Sequence, residues 1–395
     1  MFPQLIQAPL LILTLPAVLS SGYLLLVTVL SQKLPVPRLK SKLLRFDFIV
    51  PAHNEAAVIS RTVASLRKVN WPADRFRIVV CADNCTDATA EHARGAGAIV
   101  IERQNPAQRG KGYALDFAFQ ASRAAGFADA VVIIDADAEA SENLLEAIAA
   151  RMENGIRAVQ VHYGVLNPMA SWRTRLITIA KGAVHVVRSR ARERLGVSCG
   201  IRGTGWCVTH ELLQAVPYRA YSLTEDLEYG IDLGLAGVRV AYADEADCDA
   251  EMVSNEQSAR TQRQRWESGR FQLMRTKTGP LLSATLRRRS ALCLDLALDL
   301  LVLPISYVAL NIFALVVLAG VAATWVPGMA VWLWVGAACA ASLVCYVLRG
   351  WQLSGIGLIG LLDLARAPGF LLWKLRLLLR RRKSNEWQRT DRERP

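Results

Sequence analysis

AVVIIDADAE, residues Ala130 to Glu139, decides the fold. Every position from Ala130 to Ile134 is apolar, and four of the five are β-branched. A strand buried on both faces reads as such a continuous run, not as an alternation. The run ends abruptly in Asp135, Asp137 and Glu139. In open parallel sheets ligands bind just beyond the carboxyl ends of the strands. A strand that stops at carboxylates therefore predicts both an architecture and a site.

The same punctuation recurs upstream. Phe46 to Val50 reads as a strand ending at Pro51, with helical spacing from Ala56 to Lys68. Phe76 to Ala82 is a strand, Ala88 to Ala96 a helix, Ala98 to Glu102 a strand and Tyr113 to Ala125 a helix. This alternation predicts an α/β domain over residues 45–250 with a mostly parallel sheet covered on both faces. After the first strand come His53, Asn54 and Glu55; after the second, Asp83, Asn84 and Asp87. One such loop is ordinary turn and cap chemistry. Three acidic strand ends on one side of a sheet predict a rim that accepts a phosphate ligand only with a divalent cation between them. Asp135-x-Asp137 supplies oxygen ligands suited to Mg2+ or Mn2+.

Further motifs follow. Arg109-Gly-Lys-Gly112 is a basic turn opening a helix, from which Lys111 and backbone N–H groups reach a phosphate; its spacing is not that of a Walker A loop. RGTGWC (202–207) has two glycines suited to close approach of backbone to a ligand. In LTEDLEYG (223–230), Thr224 reads as a helix N-cap, and the carboxylates after it as a cap or as a general base. QRQRW (262–266) combines amides, guanidinium groups and an indole just before the chain turns apolar.

The chain of 395 residues is 52% hydrophobic with a mean hydropathy of +0.23, yet carries a formal charge of +13. Residues 1–32 hold no charge, and Pro9 to Leu30 is long enough to cross a bilayer. Lys33, Arg38, Lys40, Lys42 and Arg45 follow it, which predicts a cytoplasmic domain by the positive-inside rule. A second span is expected from Ala291 to about Ala322, with Asp295 and Asp299 in its first turns, and a third from Met329 to Leu348. Residues 349–395 read as a re-entrant or interfacial segment with a basic tail. Much of the charge borders apolar segments, so a membrane surface accounts for it without nucleic acid. The basic stretch from Arg173 to Arg194 is expected along the membrane face or near an acceptor. Arg260, Arg270 and Arg275 are candidate headgroup contacts. The eight cysteines form no CxxC pair and read as reduced, buried residues.

Taken in order, PAHNE, ADNCTD, GKGYALD, DAD, GTGWC, TED and QRQRW resemble the membrane-embedded family 2 glycosyltransferases, among them the cellulose, hyaluronan and chitin-oligosaccharide synthases. The resemblance covers about residues 46–275 plus the flanking membrane layout. It implies a GT-A fold over residues 45–250 between a transmembrane helix at 1–32 and two at 291–348, with interfacial helices over 251–290. It implies an inverting transfer from a nucleotide sugar, UDP-glucose or UDP-N-acetylglucosamine, to a polysaccharide or membrane-associated acceptor. By that resemblance Glu55 and Asp83 contact the uridine, and Lys111 lies near the nucleotide. Asp135 and Asp137 hold nucleotide and metal (Mg2+ or Mn2+). Asp226 is the catalytic base, preceded by Glu225. Gln262 and Arg265 meet the diphosphate, and Trp266 stacks on the acceptor sugar. The implied location is a bacterial-type inner or plasma membrane with the catalytic domain cytoplasmic. Any export partner for a polymer stays unassigned.

Ala82 stands where many relatives carry another aspartate, and GTGWC replaces a more familiar Phe-containing motif. The apolar portion is small for a polymer channel. A glycolipid synthase adding one sugar to a lipid is therefore the alternative, and an inactive nucleotide-binding scaffold the remote one. A nucleotidyltransferase would leave TED and QRQRW unexplained.

Overall fold

A computed structural model describes residues 2–252 and 256–366, with side chains described outside 2–6, 256–261 and 263. The basic tail and the part of 351–379 beyond Arg366 lie outside the described residues, as does the side chain of Arg260. The chain opens with α1 (Phe2–Val29). β1 (Phe46–Ala52), α2 (Ile59–Leu66), β2 (Phe76–Asp83), α3 (Thr89–Gly95), β3 (Ile99–Arg103), α4 (Lys111–Ala125) and β4 (Ala130–Ile133) then alternate. β5 (Ala138–Ala140), α5 (Leu144–Met152), β6 (Ala158–Val165) and α6 (Trp172–Lys181) follow. A π-helical turn (Gly182–Val187) joins α6 to α7 (Arg188–Arg194). β7 (Trp206–Thr209), α8 (His210–Ala215), α9 (Glu225–Leu235) and β8 (Ala241–Ala250) complete the sheet domain. Beyond it lie α10 (Glu256–Arg288), α11 (Ala291–Leu301), α12 (Ile305–Trp325), α13 (Ala330–Ser354) and α14 (Leu358–Leu364).

The eight strands form one sheet in the order β3-β2-β1-β4-β7-β6-β8-β5. Pairings β1–β2, β2–β3, β1–β4 and β6–β8 are parallel; β4–β7, β6–β7 and β5–β8 are antiparallel. The continuous apolar run has its explanation in the period of a strand. Val132 and Ile134 pack on one face with Ile59, Leu66 and Ile148 from α2 and α5. Val131 and Ile133 pack on the other with Leu115, Phe119 and Tyr229 from α4 and α9. Both faces are core, so neither set of positions can be polar.

A third core joins α1, α12 and α13 through Leu24, Leu315 and Tyr346. Gln7–Val29, Ile305–Trp325 and Ala330–Ser354 are long and apolar enough to cross a membrane. The stretch from Ala291 to Ala322, read above as one span, is two helices. The break falls at Pro304, which precedes α12 in an extended conformation; proline has no N–H for a continuing helix and restricts the residue before it. α11 is therefore a separate 11-residue helix.

α11 faces protein through its two aspartates. Arg192 binds Asp295 at 2.6 Å and Asp299 at 3.2 Å, and Arg188 binds Asp299 at 2.9 Å. Arg202 approaches Asp299 at 3.8 Å, and Tyr23 of α1 donates to Asp295 at 3.3 Å. Arg270 of α10 donates to the α11 C-terminal carbonyls of Asp299 and Val302. The expectation that the Arg173–Arg194 stretch lies along the membrane is thus corrected for Arg188 and Arg192, which are buried. Arg270 is likewise no headgroup contact; Arg275 is exposed. Close backbone packing adds to the seam. A Cβ on Gly182 would overlap the Gly350 carbonyl, and one on Gly350 would lie 2.6 Å from Ala183 Cβ. Small residues admit such approaches between apolar helices.

Removing one partner of a buried ion network leaves the others unpaired, at a cost of about 3 kcal/mol or more. Asp299→Ala is expected to lower the unfolding temperature of the detergent-solubilised protein markedly, whereas Arg275→Ala leaves it unchanged. Equal melting curves for both variants would show that Asp299 does not hold the seam.

Candidate active site

The carboxyl ends of β1, β2 and β4 open into one cavity of about 2810 Å3. Glu55, Asp83, Lys111, Asp135, Asp137, Glu225, Asp226, Gln262, Arg265 and Trp266 all line it. The structure therefore brings together every site residue expected from the sequence.

At one end the β1 and β2 loops are stitched together. The His53 ring Nδ1 lies 2.7 Å from the Asp83 carbonyl, Thr86 N–H donates to Asn54 Oδ1 at 2.7 Å, and Glu55 N–H donates to Thr89 Oγ1 at 2.7 Å. Asn54 and Asn84 both adopt positive φ, of 57° and 49°, a conformation asparagine tolerates better than most residues. Asp83 is buried and ion-paired to Arg103 at 2.6 Å. Arg103 is a residue the sequence reading passed over; it lies one strand away, and spacing along the chain does not show that contact.

The acidic centre is organised by Lys111 and by the loop before β7. Lys111 Nζ lies 2.5 Å from Asp135, 3.6 Å from Glu225, and donates to the Gly203 carbonyl at 2.9 Å. Burial pulls its ammonium down, but Asp135, Glu225 and Asp226 outweigh this and hold it above the ordinary lysine range. Burial and the neighbouring Asp226 push the Glu225 carboxyl up, against Lys111. Gly203 N–H donates to Asp226 Oδ2 at 2.5 Å, and Thr204 Oγ1 accepts from Asp135 N–H at 2.9 Å. The RGTG loop thus ties the Asp-x-Asp loop to Thr-Glu-Asp. Gly203 has φ of 68°, and a Cβ there would lie 2.9 Å from the Tyr163 ring, so no other residue fits without displacement. Thr224 occupies the N-cap position of α9, but its hydroxyl caps nothing. It packs instead on α10, where a Cβ on Gly269 would lie 2.6 Å from Thr224 Cγ2. That contact sets Arg265 and Trp266, one turn earlier on α10, over the same cavity; the Trp266 indole is 38% exposed.

Among the described residues no three His, Cys, Asp or Glu side chains converge as a metal cage. Asp135 and Asp137 nonetheless suit a hard cation that takes its remaining ligands from phosphate oxygens and water, as Mg2+ commonly does.

Apolar side chains of the C-terminal helices line the same cavity. Ile305 and Ala309 of α12, Leu343 and Val347 of α13, and Leu361 of α14 line it. Lys181 and His185 line the cavity too; Lys181 immediately precedes the π-helical turn, His185 lies within it, and neither was given a site role from sequence. Lys181 donates to the Gly164 carbonyl at 2.9 Å and lies 3.1 Å from the Tyr163 ring centroid. Burial brings its ammonium down to about 7, opposed by Asp249 and Asp137. π-helical turns are rare and are frequent at functional sites, but no sequence signal marks this one.

Comparison with known proteins matches residues 45–269 to the glycosyltransferase-like family 2. A beta-monoglucosyldiacylglycerol synthase of Synechocystis sp. is 28% identical over 234 residues, 57% of this chain and 47% of that protein. A probable glucomannan 4-beta-mannosyltransferase of Oryza sativa is 24% identical over 243 residues, 57% of this chain and 43% of that one. The chain thus spans about half the length of these curated relatives. A mannosyltransferase from Pyrobaculum calidifontis, solved with GDP-Man and Mn2+, superposes with a TM-score of 0.53 at 17% identity, over 86% of this chain and 98% of that one. That likeness shows a GT-A-like fold. With the family matched across more than half of its residues and the strand-end carboxylates gathered on one cavity, the chain belongs to the glycosyltransferase-like family 2.

Proposed function

We propose that this protein transfers a sugar from a nucleoside-diphosphate sugar to a lipid acceptor held in a membrane. One observation carries the reading: the carboxylates and apolar residues of α12, α13 and α14 line one and the same cavity, whose apolar part is its lipid-facing arm in this reading. A polar donor and an apolar acceptor can then share one chamber. The glycolipid synthase among the relatives supports this choice. The exposed Trp266 face also suits a pyranose of a growing chain, which keeps polysaccharide extension as the second reading.

In this mechanism Asp226 takes the proton from the acceptor hydroxyl as the new C1–O bond forms, because a hydroxyl is a poor nucleophile near neutral pH. Attack from the face opposite the nucleotide inverts the anomeric centre, and the C1–O bond to the diphosphate breaks. The hydrogen bond from Gly203 holds the base in place. Arg265 and Lys111 meet the negative charge that develops on the leaving diphosphate. A divalent cation held by Asp135 and Asp137 would share that charge. Glu55 and Asp83 belong to the nucleoside end, and Gln262 to the diphosphate. Glu225, held between Lys111 and Asp226, orients the base. In this reading the chamber lies at the membrane surface with the sheet domain on the cytoplasmic side, which the three helices long and apolar enough to cross a membrane support.

Two outcomes are expected. Asp226→Asn lowers sugar transfer by about a hundredfold or more, the usual scale for a lost general base, while fluorescent-nucleotide titration gives an unchanged affinity. Normal turnover by this variant would remove Asp226 from the mechanism. With a panel of radiolabelled UDP- and GDP-sugars and total membrane lipids, the labelled product partitions into organic solvent. Label retained as an aqueous high polymer would replace the lipid acceptor with a polysaccharide.

A further inference from the structure

The cluster behind the acidic centre carries more positive than negative charge. Four guanidinium groups, Arg188, Arg192, Arg202 and Arg270, surround two carboxylates, Asp295 and Asp299. The first two arginines are held by short ion pairs. Arg188 binds Asp299 and donates to the Tyr346 hydroxyl at 2.8 Å, and Arg192 binds both aspartates. Arg202 is not. Its side chain is 9% exposed, and among the described residues its one ion pair spans 3.8 Å and its Nε has no hydrogen-bond partner. Both Arg202 and Arg270 line the cavity, so the surplus faces the chamber. His185 stands beside them with a buried, unpartnered Nδ1. Burial and the adjacent Arg202 hold its imidazole neutral, well below its ordinary range. A neutral imidazole still offers one N–H.

A buried cation held only by a long ion pair is costly, and the cost falls when a further anion joins it. The position of this surplus restricts the anion. Arg202 precedes Gly203, whose N–H holds Asp226, and the apolar arm begins at Ile305 just beyond α11. A group seated here adjoins the transfer centre on one side and a hydrocarbon wall on the other. A neutral diacylglycerol would leave the guanidinium groups unused. We propose that the cavity contains a phosphate-binding subsite made by Arg202 and His185, with Arg270 behind them, and that the acceptor is a lipid bearing a phosphate. The assignment rests on the lipid-acceptor reading given above. The guanidinium fork matches phosphate oxygens, and such charge-assisted bonds are the strong ones. Asp299 then acts as a positioning residue, because it anchors the arginine cluster from which Arg202 projects.

The test compares two probes with the same tail. Farnesyl phosphate, farnesol and inorganic phosphate are titrated against the full chain in detergent, with affinity read by intrinsic Trp fluorescence and confirmed by equilibrium dialysis. Farnesyl phosphate is expected to bind the wild type about tenfold tighter than farnesol, the effect of one to two charge-assisted hydrogen bonds. Arg202→Gln brings the two within about twofold of each other, and His185→Gln reduces the difference by about threefold, as for a single neutral donor. The wild-type comparison stands even where a variant does not fold. Equal binding of farnesyl phosphate and farnesol overturns the phosphate subsite and leaves the lipid reading intact. Saturation by inorganic phosphate with no gain from the tail overturns the lipid acceptor and leaves a site for free phosphate.

Discussion

The Asp299 carboxylate is the point on which the two halves of this molecule meet. It sits in α11 and is shared by Arg188 and Arg192 of the helix beneath the cavity and by Arg202 of the loop that positions Asp226. Arg270, on the helix that carries Arg265 and Trp266, binds the backbone carbonyl of the same residue. One residue thus connects the apolar helices, the RGTG loop of the cavity and the helix bearing the indole. Such a network gives little net stability, because desolvation of the charges offsets their attraction. Its contribution is register: the apolar arm and the carboxylate centre stay aligned as one chamber.

The chemistry follows from how charges are distributed along that chamber. Carboxylates crowd the strand ends, and Lys111 bridges Asp135 and Glu225 at their centre. In the proposed function a donor diphosphate entering there meets Lys111, Arg265 and the carboxylates that suit a divalent cation. Around Asp295 and Asp299 the balance reverses, and guanidinium groups outnumber carboxylates. Acidic donor end, basic middle and apolar arm form a sequence that matches a nucleotide sugar facing an anionic lipid.

Much of this was legible in the chain itself. A strand that is apolar at every position, as Ala130 to Ile134 is, can only be buried on both faces, and its terminal aspartates then fall at the ligand end of the sheet. That Glu55, Asp83, Asp135 and Asp226 line one cavity follows from that rule and from motif order. What was not legible depends on contacts between distant segments. Arg188 and Arg192 look like a solvated basic face until Asp295 and Asp299, more than a hundred residues later, are packed against them. Thr224 has the residue type and place of an N-cap, yet packing against Gly269 takes its hydroxyl out of that role. Hydropathy alone merged α11 with α12, because Pro304 interrupts the backbone without lowering the apolar average much. Lys181 and His185 carry no motif; the π-helical turn that places them is invisible to a 3.6-residue period.

The central claim is that donor and lipid share one continuous chamber, and the most direct measurement is to obstruct its apolar arm alone. Val347→Trp adds an indole to the wall formed by α13, far along the chain from every carboxylate of the donor end. The account predicts that sugar transfer to membrane lipid falls by about tenfold or more, as expected when a pocket is overfilled, while affinity for the donor nucleotide is unchanged. Undiminished transfer to lipid by a folded Val347→Trp protein would contradict it.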